Sequence, residues 1–259
     1  MNKKLWGIFA AVCMLAMLAA WAAPALAQDE QKEKPPLYSY VGFWNIPRAQ
    51  WAEMAKADAA DQKILDKAMA DGTIVGCGSD INLVHTQDGA THDDWWSSMS
   101  MAGLMNVLDK FYKSGSATSP VLASATKHWD GIYVSRHYNW HPGSFKGAIT
   151  RAAMYKLKPD APDDAVATLS KQLLVPLFEK LLAEGAILEY EIDTEAIHTE
   201  APGTFWIVFI AANAEGLDKF DAALREAHKK NPLGGPAFGS MVDYPAHRDY
   251  LSSSTGTYK

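Results

Sequence analysis

The 259-residue sequence predicts an α+β fold in which a β-α-β-β-α-β unit occurs twice, and three observations predict it. Residues 71–86 and 184–199 align without a gap, bringing Gly72 onto Gly185, Ile74 onto Ile187, Asp80 onto Asp193, His85 onto His198 and Thr86 onto Thr199. Downstream, after small shifts in offset, Trp96 meets Trp206 and Leu108-Asp-Lys-Phe111 meets Leu217-Asp-Lys-Phe220, so a whole folding unit is duplicated. Alternating and helix-spaced apolar patterns then follow one another in the same order in both halves.

In the first half, residues 38–45 are aromatic and in places β-branched, which predicts a strand, and Ile46-Pro47 ends it. Trp51, Met54, Ala55, Ile64, Leu65, Ala68 and Met69 recur at helical spacing over 48–70, with Gly72 as the stop. Residues 73–86 alternate: Val75, Cys77, Ile81, Leu83 and His85 share one face, while Gly76, Gly78, Asp80 and Asn82 share a wet or ligand-facing one. A turn over 87–94, a third strand over 95–102, a helix ending near Lys113, and a fourth strand over roughly 128–138 complete the unit.

The second half repeats the order. A strand over 149–157 precedes a helix whose apolar stripe is Val166, Leu169, Leu173, Leu174, Leu177, Phe178, Leu181 and Leu182, kinked at Pro176. Strands over 187–198 and 204–212, a helix over 214–230 and a last strand near 240–244 follow. Residues 205–211 are apolar on both faces, as in a central strand covered from both sides. Helices supply one cover, and the sheet of the other unit most economically supplies the second.

Residues 1–27 read as an export signal: Lys3-Lys4, an apolar run from Leu5 to Trp21, and Ala25-Leu26-Ala27 before a cleavage at Gln28. The protein is therefore expected to be periplasmic or secreted, without membrane attachment after cleavage. Residues 28–36 form a charged tether, 37–140 the first unit, 141–147 a linker, 148–250 the second unit and 251–259 a tail. The whole chain carries a charge of −6, and loss of Lys3 and Lys4 with the signal makes it −8. Such a surface, with no basic stripe, argues against nucleic acid as a partner. Cys77 is the one cysteine left, so no intramolecular disulfide forms and stability comes from packing.

The element order and the internal match resemble the dimeric α+β barrel superfamily of ferredoxin-like domains over nearly all of 37–250. The resemblance implies two tandem units whose antiparallel sheets pack face to face as an internal pseudo-dimer barrel, in a chain that is a monomer or a homodimer. It also implies kinship with small monooxygenase-like proteins, which bind apolar organic molecules between sheet and helices, some without a cofactor.

Among residues able to carry chemistry, His85 and His198 stand out because both halves keep His-Thr at the end of the second strand. They are candidates for a general base or metal ligand, or equally for buried structural histidines on the apolar side of each strand. Glu189, Glu191, Asp193 and Glu195 form an acidic row expected at an outer rim in water, because the second strand of this unit lies at a sheet edge that charges protect. An interior location would demand cations, waters or raised pKa values. The segment 135–144, with Arg136, His137, Tyr138, Trp140 and His141, either lines a cleft between the units or packs their junction, and His247 and Arg248 echo it.

Two histidines and three aspartates within 85–94 match no zinc or calcium spacing, so a solvated turn and no metal site are expected. Trp95, Trp96, Trp206, Met99, Met101 and Met105 suit the core, or an aromatic ligand cavity; Cys77 reads as inert. No phosphate loop, nucleophile elbow, Cys-x-x-Cys or HExxH helix occurs.

Three functions compete. The first is an enzyme or binding protein for a small apolar organic molecule, with Trp44, Trp96, Trp206, His85 and His198 at the pocket and no cofactor required. The second is a haem protein resembling the chlorite dismutase and dye-decolourising peroxidase group, with His198, or His137 beside Arg136, in the axial and distal roles. The third is a non-catalytic structural or interaction module.

Overall fold

Aromatic and alternating segments become eight strands, and helix-spaced segments become helices laid on their outer faces. The computed structural model describes residues 34–86, 89–200 and 202–259; the expected export signal at 1–27 and tether residues 28–33 lie outside the described residues. In chain order the elements are β1 (Leu37–Asn45), α1 (Trp51–Ala70), β2 (Gly76–Asn82), β3 (His92–Ser98), α2 (Met101–Ser114), α3 (Pro120–Ala123) and β4 (Lys127–Trp140). There follow β5 (Gly143–Lys156), α4 (Ala165–Leu169), α5 (Val175–Ala183), β6 (Ile187–Ile197), β7 (Thr204–Ala211), α6 (Ala214–Lys230), α7 (Gly234–Met241) and β8 (Arg248–Tyr258). The order β-α-β-β-α-β thus occurs in each half, with α3 and α7 as short additions.

All eight strands close into one antiparallel barrel in the order β1-β3-β2-β8-β5-β7-β6-β4. Each half contributes four adjacent strands. The seams are β2 against β8, where Asp80 faces Ser254, and β4 against β6, where Val134 faces Thr194. Closure leaves no free edge, and it gives every strand an inner face toward the barrel and an outer face toward helices or solvent.

Local chemistry sets the element ends. Gly72 (φ 77°) and Gly185 (φ 65°), matched in the sequence alignment, both take the left-handed conformation that stops a helix and admits the next strand. Ser100 caps α2 by accepting from the Gly103 amide at 3.1 Å, and Asn213 caps α6 in the same way through Gly216. The helix expected to kink at Pro176 contains a π-helical turn, Ser170–Leu174, between α4 and α5. Pro176 has no amide proton to give to the preceding turn, and a wider turn absorbs that loss.

Two cores lie outside the barrel wall. Phe178, Phe209 and Phe220 cluster under α5 and α6, while Tyr40, Trp96, Leu104 and Val107 cluster under α1 and α2. Trp96 sits 5.3 Å from Phe111, and Phe209 sits 4.6 Å from Phe220. The offset that brings Asp80 onto Asp193 also brings Trp96 onto Phe209, so these ring pairs hold corresponding places. Trp206, aligned above with Trp96 after a shift, instead faces the barrel interior with Val208 and Ile210.

Several expectations are corrected. The stretch 251–259, expected to be a tail, supplies most of β8, and the last strand expected near 240–244 is replaced by the end of α7 and a short turn. Residues 251–257 hold mostly Ser, Thr and Gly, with weak intrinsic strand signal; pairing with β2 on one side and β5 on the other makes them a strand. The linker at 141–147 shrinks to His141-Pro142, because β5 already begins at Gly143. Strand β2 ends at Asn82, so Leu83 to Thr86 leave the sheet, and β3 begins at His92, drawing Asp93 and Asp94 out of the expected turn. No helix among the described residues is long and apolar enough to cross a membrane.

Candidate functional site

The outer face of the N-terminal sheet carries a set of interacting titratable groups that a cavity reaches. Alternation along the strands points Tyr40, Gly42 and Trp44 of β1, Ser79 of β2, Asp94 and Trp96 of β3 and His128 of β4 toward the helices. They floor a cleft of about 430 Å³, roofed by Asp58, Asp61, Gln62 and Leu65 of α1 and by Leu108, Phe111 and Tyr112 of α2. Asp94 stands between Gly42 and Ser79 in the ladder.

Electrostatics distinguishes this floor. Burial, then the charges of Asp58 and Asp61, push the Asp94 carboxyl well above the usual carboxylate range. Asp58 is pushed up to about 6 by burial and by Asp61. Beside them runs a hydrogen-bonded chain: the Tyr40 hydroxyl donates to Asp130 Oδ1 at 2.5 Å, and His128 Nε2 lies 3.3 Å from the same oxygen. Burial pulls the His128 imidazole toward its neutral form, but the bonds to Asp130 and to the Phe43 carbonyl outweigh it and raise its pKa. Trp44 stacks on His128 at 3.5 Å and Tyr40 on Trp96 at 4.2 Å, fixing both polar groups against aromatic faces. The arrangement can bind a flat apolar molecule and exchange a proton with it.

A second cleft, about 560 Å³, lies over the outer face of the C-terminal sheet. Tyr155, Leu173, Phe178, Phe209, Phe220 and Phe238 wall it, with Arg151, Lys180, His228 and Lys230 also lining it. Arg151 lies over the Phe220 ring at 5.6 Å and pairs with Asp249 at 3.3 Å. A third cavity, about 220 Å³, occupies the barrel interior and is lined by Asp80, Asp93, Glu189, Glu191 and Asp193 together with Trp95, Trp206 and Tyr258.

The acidic row was expected in water, and the structure corrects this: Glu189, Glu191, Asp193 and Glu195 are all buried. In an isolated unit β6 would be an edge strand, but the seam with β4 removes that edge and turns the row inward. Asp80, its partner by alignment, also faces inward, from β2.

Trp44 and Trp96 line the N-terminal cleft and Trp206 lines the barrel cavity, so the candidate tryptophans divide between two sites. His85 and His198 lie beyond the ends of β2 and β6, exposed and outside all three cavities; His85 lies 5.6 Å from the Trp51 ring. Arg136 and His137 lie on β4, at a bulge opposite Asp193 and Ile192, and line none of the cavities. Nearby, Trp140 donates to the Lys259 carbonyl at 3.0 Å and a His141 ring nitrogen lies 2.8 Å from the Leu182 carbonyl, fastening the junction between halves. Cys77 is buried under α1, which pushes its thiol up to about 11. Among the described residues no three His, Cys, Asp or Glu side chains converge to hold a metal ion.

Asp58, Asp61, Asp94, Asp130 and His128 were missed in the sequence. Asp94 closes the acidic run His92-Asp-Asp94, whose sequence signal is that of a turn, and the helix carboxyls carry no motif. The offset alignment could have found Asp94, because it places Asp93 and Asp94 within β3 as Trp206-Ile207 lie within β7.

No protein-family model and no curated protein matches the sequence. Solved structures do share the fold. A candidate monooxygenase of Lactobacillus acidophilus superposes with a TM-score of 0.63 at 12% identity, covering 87% of this chain and 97% of its own. One from Fusobacterium nucleatum gives 0.64 at 9% identity, covering 87% and 95%. An anthrone oxidase-like protein gives 0.50 at 9% identity, covering 87% and 94%. At these identities the likeness is one of fold: an α+β architecture built on a closed, antiparallel eight-stranded barrel.

Proposed function

We propose that this chain is an exported protein that binds a small, largely apolar organic molecule in the N-terminal cleft and exchanges a proton with it through Asp94. One observation carries the reading: a carboxyl whose pKa burial raises stands on the floor of a cavity walled by Tyr40, Trp44, Trp96 and Phe111. A carboxyl whose neutral form burial favours can give a proton to a bound ligand and take it back. The Tyr40, Asp130 and His128 chain alongside would orient a polar group of the ligand. Oxidation as the class of reaction is supported by the descriptions of the structural neighbours as candidate monooxygenases and an anthrone oxidase-like protein. The Lys3-Lys4 start and Ala25-Leu26-Ala27 support export. Matched sequence and repeated element order support an origin of both halves in one duplicated ferredoxin-like unit.

The test is a titration with 1-naphthol, an apolar aromatic with one acidic hydroxyl whose emission differs between neutral and ionised forms. Saturable binding that weakens in Trp96→Ala is expected, with the naphtholate signal lost in Asp94→Asn while binding persists. Absence of binding, or a signal indifferent to both substitutions, overturns the proposal.

A second reading, haem binding, is favoured by the C-terminal cleft, which brings one imidazole, His228, together with Arg151 and apolar walls. His228, rather than His198 or His137, would hold the iron, and Lys180 and Lys230 would meet the propionates. Haem would supply redox chemistry there. A Soret band on adding haemin, abolished by His228→Ala, supports this reading; a flat titration removes it. Failure of both titrations favours the non-catalytic interaction module.

A further inference from the structure

The barrel interior is an acidic chamber without a basic side chain. Asp80, Asp93, Glu189, Glu191 and Asp193 line it, each less than a tenth exposed, and none of its described lining residues is Lys, Arg or His. Part of this acidity is internally satisfied. Ser39 donates to Glu191 at 3.0 Å, Ser254 donates to Asp80, and Asn82 reaches Asp93 at 3.4 Å. Other atoms are not: the acceptors Glu189 Oε1 and Asp193 Oδ1, and the indole N–H of Trp206, are buried on the same cavity without a hydrogen-bond partner. Unpartnered acceptors facing a cavity are costly, and charged ones more so, unless something enters to meet them.

The missing partner is a cation by charge, and its shape follows from the layout. No three of the carboxyls converge, as a metal ion would require; they meet in pairs, Asp80 with Asp93 and Glu191 with Asp193. Glu189, Glu191 and Asp193 sit at alternate residues of β6, whose backbone repeats about every 7 Å, so Glu189 and the Glu191–Asp193 pair lie one after the other along one wall. Strand β2, bearing Asp80, stands four places from β6 around the ring of eight and therefore on the opposite wall. Between the carboxyls, Trp95, Trp206 and Tyr258 present rings, the surfaces that attract alkylammonium groups. Trp129, Tyr250 and Glu200 line the same cavity and are partly or fully exposed, which marks its open end.

We infer that the barrel interior binds a linear aliphatic di- or polyamine, its ammonium groups meeting Glu189 and the Glu191–Asp193 pair and its methylenes lying against the aromatic rings. Burial raises the pKa of all five carboxyls, so binding should expel protons as they ionise against the amine.

Calorimetric titration of the purified protein with 1,4-diaminobutane and with spermidine, in buffers of different ionisation enthalpy, tests this. Saturable one-to-one binding with proton release is expected, at least tenfold weaker in Glu189→Gln and in Asp193→Asn. Those substitutions remove buried charge at constant shape, so folding should survive; thermal melts verify it. No binding, equal binding by both variants, or displacement of the amine by equimolar calcium chloride would overturn the inference.

Discussion

The hydroxyl of Ser39 on β1 donates a 3.0 Å hydrogen bond to Glu191 on β6, joining the two halves through the barrel interior. The same hydroxyl meets Ser97 on β3 at 2.8 Å, so a single small side chain spans three strands of the wall. Burial holds the Glu191 carboxyl up at about 7, and Ser39 is the neighbour that most opposes the shift.

Ser39→Ala is therefore expected to remove one hydroxyl donor from Glu191 and to cost about 1–3 kcal/mol. Urea denaturation measures it. Glu191→Gln, which keeps an acceptor for Ser39 and removes a buried acid, should stabilise the protein at pH 8. A loss of stability on that substitution would show that the native carboxylate is already compensated.

Stability should fall as pH rises. Asp80 and Glu191 titrate at about 6 and about 7 in the folded chain, above the usual carboxyl range, and Asp93, Glu189 and Asp193 are shifted in the same direction by the same burial. The folded state thus binds more protons than the unfolded one. Stability from these groups is full below about pH 4 and drains as pH passes through 6 and 7. Melting temperature should drop by several degrees between pH 5 and pH 8, and an unchanged or rising value would refute this.

Deleting residues 251–259 should abolish cooperative unfolding. That stretch pairs with β2 and β5 at once, and without it the ring opens at the N-to-C seam. Deletion would also strip Asn82 and Asp80 of the Ser252 and Ser254 hydroxyls. Circular dichroism melts of the shortened chain decide the point; a sharp transition near that of the whole chain would contradict it.

Asp130→Asn should lower the titration midpoint of His128, followed by proton NMR. Without the carboxylate, burial acts with less opposition and favours the neutral ring. Tyr40→Phe should leave the Trp96 stack intact, yet raise the Asp130 pKa by deleting a 2.5 Å donor.

Element order, the helix stop at Gly72 and the doubly covered β7 were legible in the sequence, because these depend on spacing within one segment. Leu217-Asp-Lys-Phe220 could even be matched to Leu108-Asp-Lys-Phe111 before either had a place. Tertiary structure decided what the segments meet. It turned the Glu189 to Glu195 row inward and made a strand of a Ser- and Thr-rich terminus, because barrel closure pairs edges that an isolated unit would leave in water. It also gathered Asp58, Asp94 and His128 into one cleft and left His85 and His198 outside it. Proximity across strands is a property of register, which no stretch of the chain carries alone.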